Sequence, residues 1–113
     1  MLKLVIAIPA VLVISVLVIS STWSLAQRSP QDNRGEALLT RHCAMCHAVG
    51  RSGTSPHAAA PPFRTLGQRY PLDSLEEALG EGLLSGHPDM PEFVFGPRDV
   101  GAIIRYLQSI QGR

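Results

Sequence analysis

Cys43-Ala44-Met45-Cys46-His47 constrains this chain more than any other stretch, because two thiols three residues apart followed at once by an imidazole read as a covalent haem attachment site. On a helical turn Cys43 and Cys46 fall on one face, where both sulfurs can reach the vinyl groups of one porphyrin as thioethers, and His47 then stands beside the iron. A zinc site, a redox-active dithiol and a structural disulfide are the competing readings. Zinc normally takes four ligands, and with no second pair of cysteines His42, His57 and His87 would have to complete the set. A thioredoxin-like dithiol wants a strand and helix context that the sequence does not offer. Cys43 and Cys46 are the only cysteines, so thioethers at both leave nothing for a disulfide. Stability must then come from the core and the haem.

The N-terminus sets the compartment. Lys3 precedes an uncharged apolar run from Leu4 through Ile19, and Ser24-Leu25-Ala26 offers small residues where a signal peptidase cuts, so residues 1–26 are expected to be a signal peptide. The alternative is an uncleaved membrane anchor, since Leu4 to Trp23 is about twenty residues long and Trp23 stands as an interfacial aromatic. Either way the rest of the chain ends outside the cytoplasm, in a bacterial periplasm. Residues 27–113 then form one small domain with a thin core. The apoprotein is expected to fold poorly, as small cofactor-dependent domains do.

Charge is nearly balanced, at +1 overall, and informative only in its distribution. Arginines dominate from Gln27 to Arg69, and carboxylates from Tyr70 to Arg113. The asymmetry could orient the molecule on a partner, although a solvated surface with no docking role would look the same. Nothing resembles the basic run that nucleic-acid binding needs.

No alternating run makes a convincing strand, and the expected class is all-α, with three to four short helices. After a mobile stretch from Gln27 to Gln31, Asp32 or Asn33 is expected to cap a first helix whose apolar residues Ala37, Leu38 and Leu39 lead into the haem motif. From Ala48 to Tyr70 the chain is rich in Gly, Ser, Pro and Arg and reads as a loop wrapped around the haem edge. Asp73 or Ser74 starts a second helix, with Ser74 and Glu77 at capping-box spacing and Leu75, Ala78 and Leu79 on its apolar face. Gly80 and Gly82 end it. The last helix begins at Gly96-Pro97, repeats Val100, Ile103, Ile104, Leu107 and Ile110 at helical spacing, and closes at Gly112.

From about Asn33 to the C-terminus the chain resembles the small monohaem class I cytochromes c. The haem motif follows a helix containing Gly35. Ala60-Pro61-Pro62-Phe63 is similar to the family's Gly-Pro-x-Leu segment, with Ala60 in place of the usual glycine. The resemblance implies that the Pro61 carbonyl accepts a hydrogen bond from the ring nitrogen of His47 that does not bind iron, a contact that fixes ring orientation and basicity. Gly86-His87-Pro88-Asp89-Met90-Pro91-Glu92-Phe93 resembles the distal loop that carries the axial methionine. Met90 is also the only methionine outside the leader and the haem motif. Its rival as sixth ligand is His87, which would give a bis-histidine haem of lower potential. Ile103-Ile104-Arg105-Tyr106-Leu107 resembles the family's C-terminal helix, whose aromatic packs across the first helix's glycine, here Tyr106 on Gly35.

The resemblance implies a cytochrome c fold with one haem c, bound through Cys43 and Cys46 and ligated by His47 and Met90. Arg64, Arg69 and Tyr70 are candidates for the propionates, with Arg69 the best placed by its distance after Pro61. Iron held on both sides changes oxidation state and little else, so the expected function is a periplasmic one-electron carrier and not an enzyme. It would act as a monomer, docking on redox partner proteins such as a membrane cytochrome complex, an oxidase, a reductase or a dehydrogenase. Two other readings stand beside it. One is a membrane-tethered haem subunit fed by a separate dehydrogenase. The other is a gas sensor or peroxidase-like protein whose distal ligand leaves.

Overall fold

A computed structural model describes residues 29–82 and 88–112. The expected leader, the rival ligand His87 and Arg113 lie outside them. The described residues form helix α1 (Pro30–Cys43), a 3-10 helix η1 (Phe63–Gln68), helix α2 (Ser74–Glu81) and helix α3 (Pro97–Ile110). Among them there is no strand, and no helix is long and apolar enough to cross a membrane. The all-α expectation holds.

α3 supplies most of the core because its apolar residues recur at helical spacing along one face. Val100, Ala102, Ile103, Ile104, Tyr106, Leu107 and Ile110 are buried, and Leu39 of α1, Leu79 of α2 and Phe63 of η1 close around them. Burying each large side chain contributes roughly 1.5–3 kcal/mol. α1 crosses α3 at Gly35, where an added Cβ would lie 2.8 Å from the Tyr106 Cβ and from the Ala102 carbonyl carbon, and closer still to the Ala102 oxygen. Only hydrogen fits there. Polar contacts fix the crossing: the Arg34 Nε donates to Asp99 at 2.6 Å, Arg105 donates to Gln31, and the Tyr106 hydroxyl donates to the Val49 carbonyl at 3.1 Å.

Three local expectations are corrected. α1 begins at Pro30 and not after Asp32 or Asn33, because Ser29 is the N-cap: its hydroxyl accepts from the Asp32 amide at 3.1 Å while the Asp32 carboxylate accepts from the Ser29 amide at 3.4 Å. Asp32 thus serves in the capping box as its third helical residue, and Gln31, expected in a mobile stretch, is helical. The Ala48 to Tyr70 segment is not all loop, since η1 occupies Phe63–Gln68. α2 does start at Ser74, but Ser74 is its first helical residue and not its cap, so the Ser74–Glu77 capping box does not form, and the N-cap Asp73 makes no side-chain bond either; the amides of Ser74, Leu75 and Glu76 bond to the carbonyls of Pro71, Leu72 and Asp73 in a tight turn that leaves little for a cap to satisfy. α3 ends at Ile110 with Gln111 as its C-cap, so Gly112 stands directly after the cap, as expected of the residue that closes the helix. Gly82, at φ +119°, ends α2 as expected.

Candidate haem site

The haem motif is the continuation of α1 into one more turn. After Cys43 the amides of Cys46 and His47 both bond back to the Cys43 carbonyl, at 3.1 and 2.9 Å, so the backbone keeps its helical curl and holds the two thiols on a common side. The segment that follows folds back over the motif. The Ala48 amide donates to the Ser55 hydroxyl at 3.0 Å, the His57 amide to the Cys46 carbonyl at 3.2 Å, and the Phe63 amide to the Ala48 carbonyl at 3.0 Å. Gly53, at φ +91°, makes the reversal in a backbone conformation that side chains rarely adopt.

This folding back carries Pro61 to His47. The His47 Nδ1 lies 2.8 Å from the Pro61 carbonyl oxygen. A carbonyl can only accept, so Nδ1 carries the proton, and in the neutral ring Nε2 then holds the free lone pair, the tautomer a metal ligand needs. The other side of the ring is covered as well, since the Phe63 ring stacks on His47 with centroids 4.6 Å apart and planes 26° from parallel.

A cleft of about 390 Å³ opens beside this arrangement, within the usual size range of cofactor sites. Cys43, Cys46, His47 and Pro61 line it from the motif side, and Met90, Pro91 and Phe93 from the segment after α2. Met90 is partly buried, whereas Met45, although it also lines the cleft, is 88 % exposed, which favours Met90 as the internal thioether. Burial pushes the Cys43 thiol up to about 11, with Cys46 adding to the effect. A position that so disfavours a thiolate loses nothing when the sulfur becomes a neutral thioether. Among the described residues no three of His, Cys, Asp and Glu converge as a bare metal site would require. Among the described residues the thiols therefore lack the partners of a zinc centre.

Three features of the cleft escaped sequence reasoning. His42 meets Phe93 and Phe95 edge-on, at 5.8 and 5.6 Å, and joins the last turn of α1 to the chain just after Met90. His57, which accepts the Ala59 amide on Nδ1, has its Nε2 3.8 Å from the Asp89 carboxylate and so faces the distal segment. Arg41 also lines the cleft. A histidine immediately before the motif was the available signal for the first; the second depends on a fold-back that composition does not reveal. Arg64, Arg69 and Tyr70 do not line the cleft; Arg69 and Tyr70 are exposed, while the Arg64 Nη1 is buried with no hydrogen-bond partner.

An all-α shell that closes a thiol-lined apolar cleft and presents a histidine with its Nδ1 proton engaged is the architecture of a small monohaem c-type cytochrome, whose cofactor is covalent haem c and whose work is electron transfer. The residues fit that group: two cysteines, a correctly protonated imidazole and a thioether share one cavity. The sequence model of the family described as cytochrome c oxidase, cbb3-type, subunit III matches residues 30–107, and the chain belongs to that family. The match starts at the first residue of α1 and ends within α3. No curated protein and no solved structure gives a significant match.

Proposed function

We propose that the chain is a one-electron carrier of the periplasm in which His47 and Met90 would hold the haem iron. The observation that carries this reading is the His47 to Pro61 bond of 2.8 Å beside a cleft that Met90 also lines. Bound haem supplies an iron that accepts and releases one electron. Cys43 and Cys46 keep the group from leaving. Pro61 makes His47 a stronger donor through Nδ1, and Met90 offers a soft sulfur that favours the reduced form. The apolar walls, Pro61, Pro91 and Phe93 among them, exclude water and disfavour the extra charge of the oxidised form. Arg64, Arg69 and Tyr70 stay the candidates for the propionates although none of them lines the cleft; of the three, only Arg64 has a buried donor, its Nη1, that nothing in the described protein meets.

The family supports a second reading, a haem subunit working within an oxidase assembly, held to the membrane by an uncleaved segment before α1. Cell fractionation separates the two: a free carrier is recovered with the soluble periplasmic fraction, a subunit with the membrane. The ligand set is tested by the absorption spectrum of reduced protein under carbon monoxide, after acid-acetone extraction has established covalent haem. The wild type should be indifferent to carbon monoxide, and Met90→Ala should bind it and fall in reduction potential. A wild type that binds carbon monoxide would overturn the carrier reading in favour of sensing or catalysis.

A further inference from the structure

A hydrogen bond from Nδ1 fixes where the His47 ring sits more firmly than how it is turned. The terminal torsion of a histidine is broad, and a carbonyl oxygen accepts over a wide range of directions. The 2.8 Å contact with Pro61 therefore leaves the imidazole some freedom to tilt. The Phe63 ring removes that freedom, because it lies along the imidazole at 4.6 Å and 26°, and Phe63 is itself buried. In the segment that this stretch resembles, the same position is a leucine, which has no flat face to offer.

Phe63 in turn is held by the far end of the chain. The Gln111 Nε2 donates to the Phe63 carbonyl at 3.0 Å and to the Leu107 carbonyl at 2.6 Å, while its Oε1 accepts from the Gly67 amide at 2.8 Å. Two carbonyls and one amide assign both ends of the side-chain amide without ambiguity. The Gly112 amide adds a bond to the Arg64 carbonyl at 3.1 Å. Gly67 makes room for the clasp, since a Cβ there would lie 2.9 Å from the Gln111 Oε1. A 3-10 helix has weak internal bonding, so η1 keeps its place by being tied to α3 at both of its ends.

We propose that Phe63 is a positioning residue that sets the orientation of the His47 imidazole, and that Gln111 holds Phe63 in place by clasping η1 to the end of α3. The proposal rests on the reading of His47 as an iron ligand. Its consequence is electronic. The plane of an axial imidazole decides which iron d orbital it overlaps, and hence the anisotropy of the oxidised low-spin signal.

Electron paramagnetic resonance of the oxidised holoprotein tests this. The wild type should show one narrow set of g values. Phe63→Leu should keep a low-spin absorption spectrum while its largest g value shifts and broadens, and Phe63→Tyr, which retains the flat face, should restore the wild-type values. Gln111→Ala should shift the same value in the same direction by less; it carries the test should Phe63→Leu fail to fold. Unmoved g values in Phe63→Leu or Gln111→Ala would overturn the proposal, as would a Phe63→Tyr spectrum matching Phe63→Leu. Pulsed resonance on the wild type reads the axial imidazole nitrogen independently. Its absence removes the ligand reading; its presence with unmoved g values removes only the role of Phe63.

Discussion

Gly35→Ala should cost this protein more stability than any other glycine-to-alanine change in its helices. The new Cβ would meet the Tyr106 Cβ and the Ala102 carbonyl carbon at 2.8 Å, against the 3.4 Å at which ordinary contact begins. Neither obstacle can swing aside, since one is backbone and the other is the root of a buried side chain. α1 and α3 must therefore part by at least roughly 0.6 Å at this crossing, and by more to clear the Ala102 oxygen, a gap that forfeits at least about a quarter to a half of the dispersion attraction along the seam. Overpacking of this kind costs about 1–3 kcal/mol, and a rigid obstacle places it near the top of that range. Removing a glycine from a helix interior returns about 0.8–1 kcal/mol. The net loss is about 2 kcal/mol, which for a domain of this size lowers Tm by about 8–16 °C. Gly80→Ala in α2 and Gly101→Ala in α3 are the controls, because an added Cβ meets nothing within 4 Å at Gly80 and only the flexible end of Arg105, at 3.6 Å, at Gly101. Both should raise stability, by about 0.4–1 kcal/mol each. Thermal unfolding of the oxidised holoprotein, followed by far-ultraviolet circular dichroism, ranks the three. If Gly35→Ala melts with or above the wild type, the close crossing is not what the geometry says it is.

Two further expectations follow from single contacts. Tyr106→Phe removes the hydroxyl that donates to the Val49 carbonyl at 3.1 Å and leaves that part-buried oxygen short of a partner, so it should cost about 1–2 kcal/mol, read as a lower denaturant midpoint at unchanged slope. Ser29→Ala deletes one half of the capping box and should cost about 1 kcal/mol; amide exchange should quicken at Asp32 and stay unchanged in α3, and uniform quickening would mean that the cap matters to the whole fold and not to the first turn.

The helices that could be read from the sequence are those whose burial is written as a period. α3 is the clear case: Val100, Ile103, Ile104, Leu107 and Ile110 recur along one face and all are buried, with Gly96-Pro97 marking the start. The first turn of α1 offers no such pattern, because Pro30 to Asn33 face solvent or lie at its edge. The apolar pattern therefore puts the cap at Asp32 or Asn33, three or four residues too late, whereas the signal for the true start is Ser29 followed three residues on by Asp32. η1 left even less trace. Six residues of 3-10 helix bury only Phe63, and a single buried residue has no period.

The site divides along a related line. Attachment chemistry needs its groups within one turn, so Cys43, Cys46 and His47 are contiguous and legible without any fold. Orientation needs groups that approach from elsewhere. Phe63 reaches His47 across the turn at Gly53, and Gln111 reaches Phe63 from 48 residues away. Nothing in the sequence singles out Gln111, and Gly112 reads only as the stop of a helix; their contacts to η1 exist only because η1 packs beside α3. A glutamine whose amide spans two carbonyls and one amide, placed where it ties the ligand-bearing segment to the most buried helix, couples stability of the core to the geometry at His47. A change that loosens the last turn of α3 should for that reason be felt first in the orientation of the imidazole, before any loss of haem.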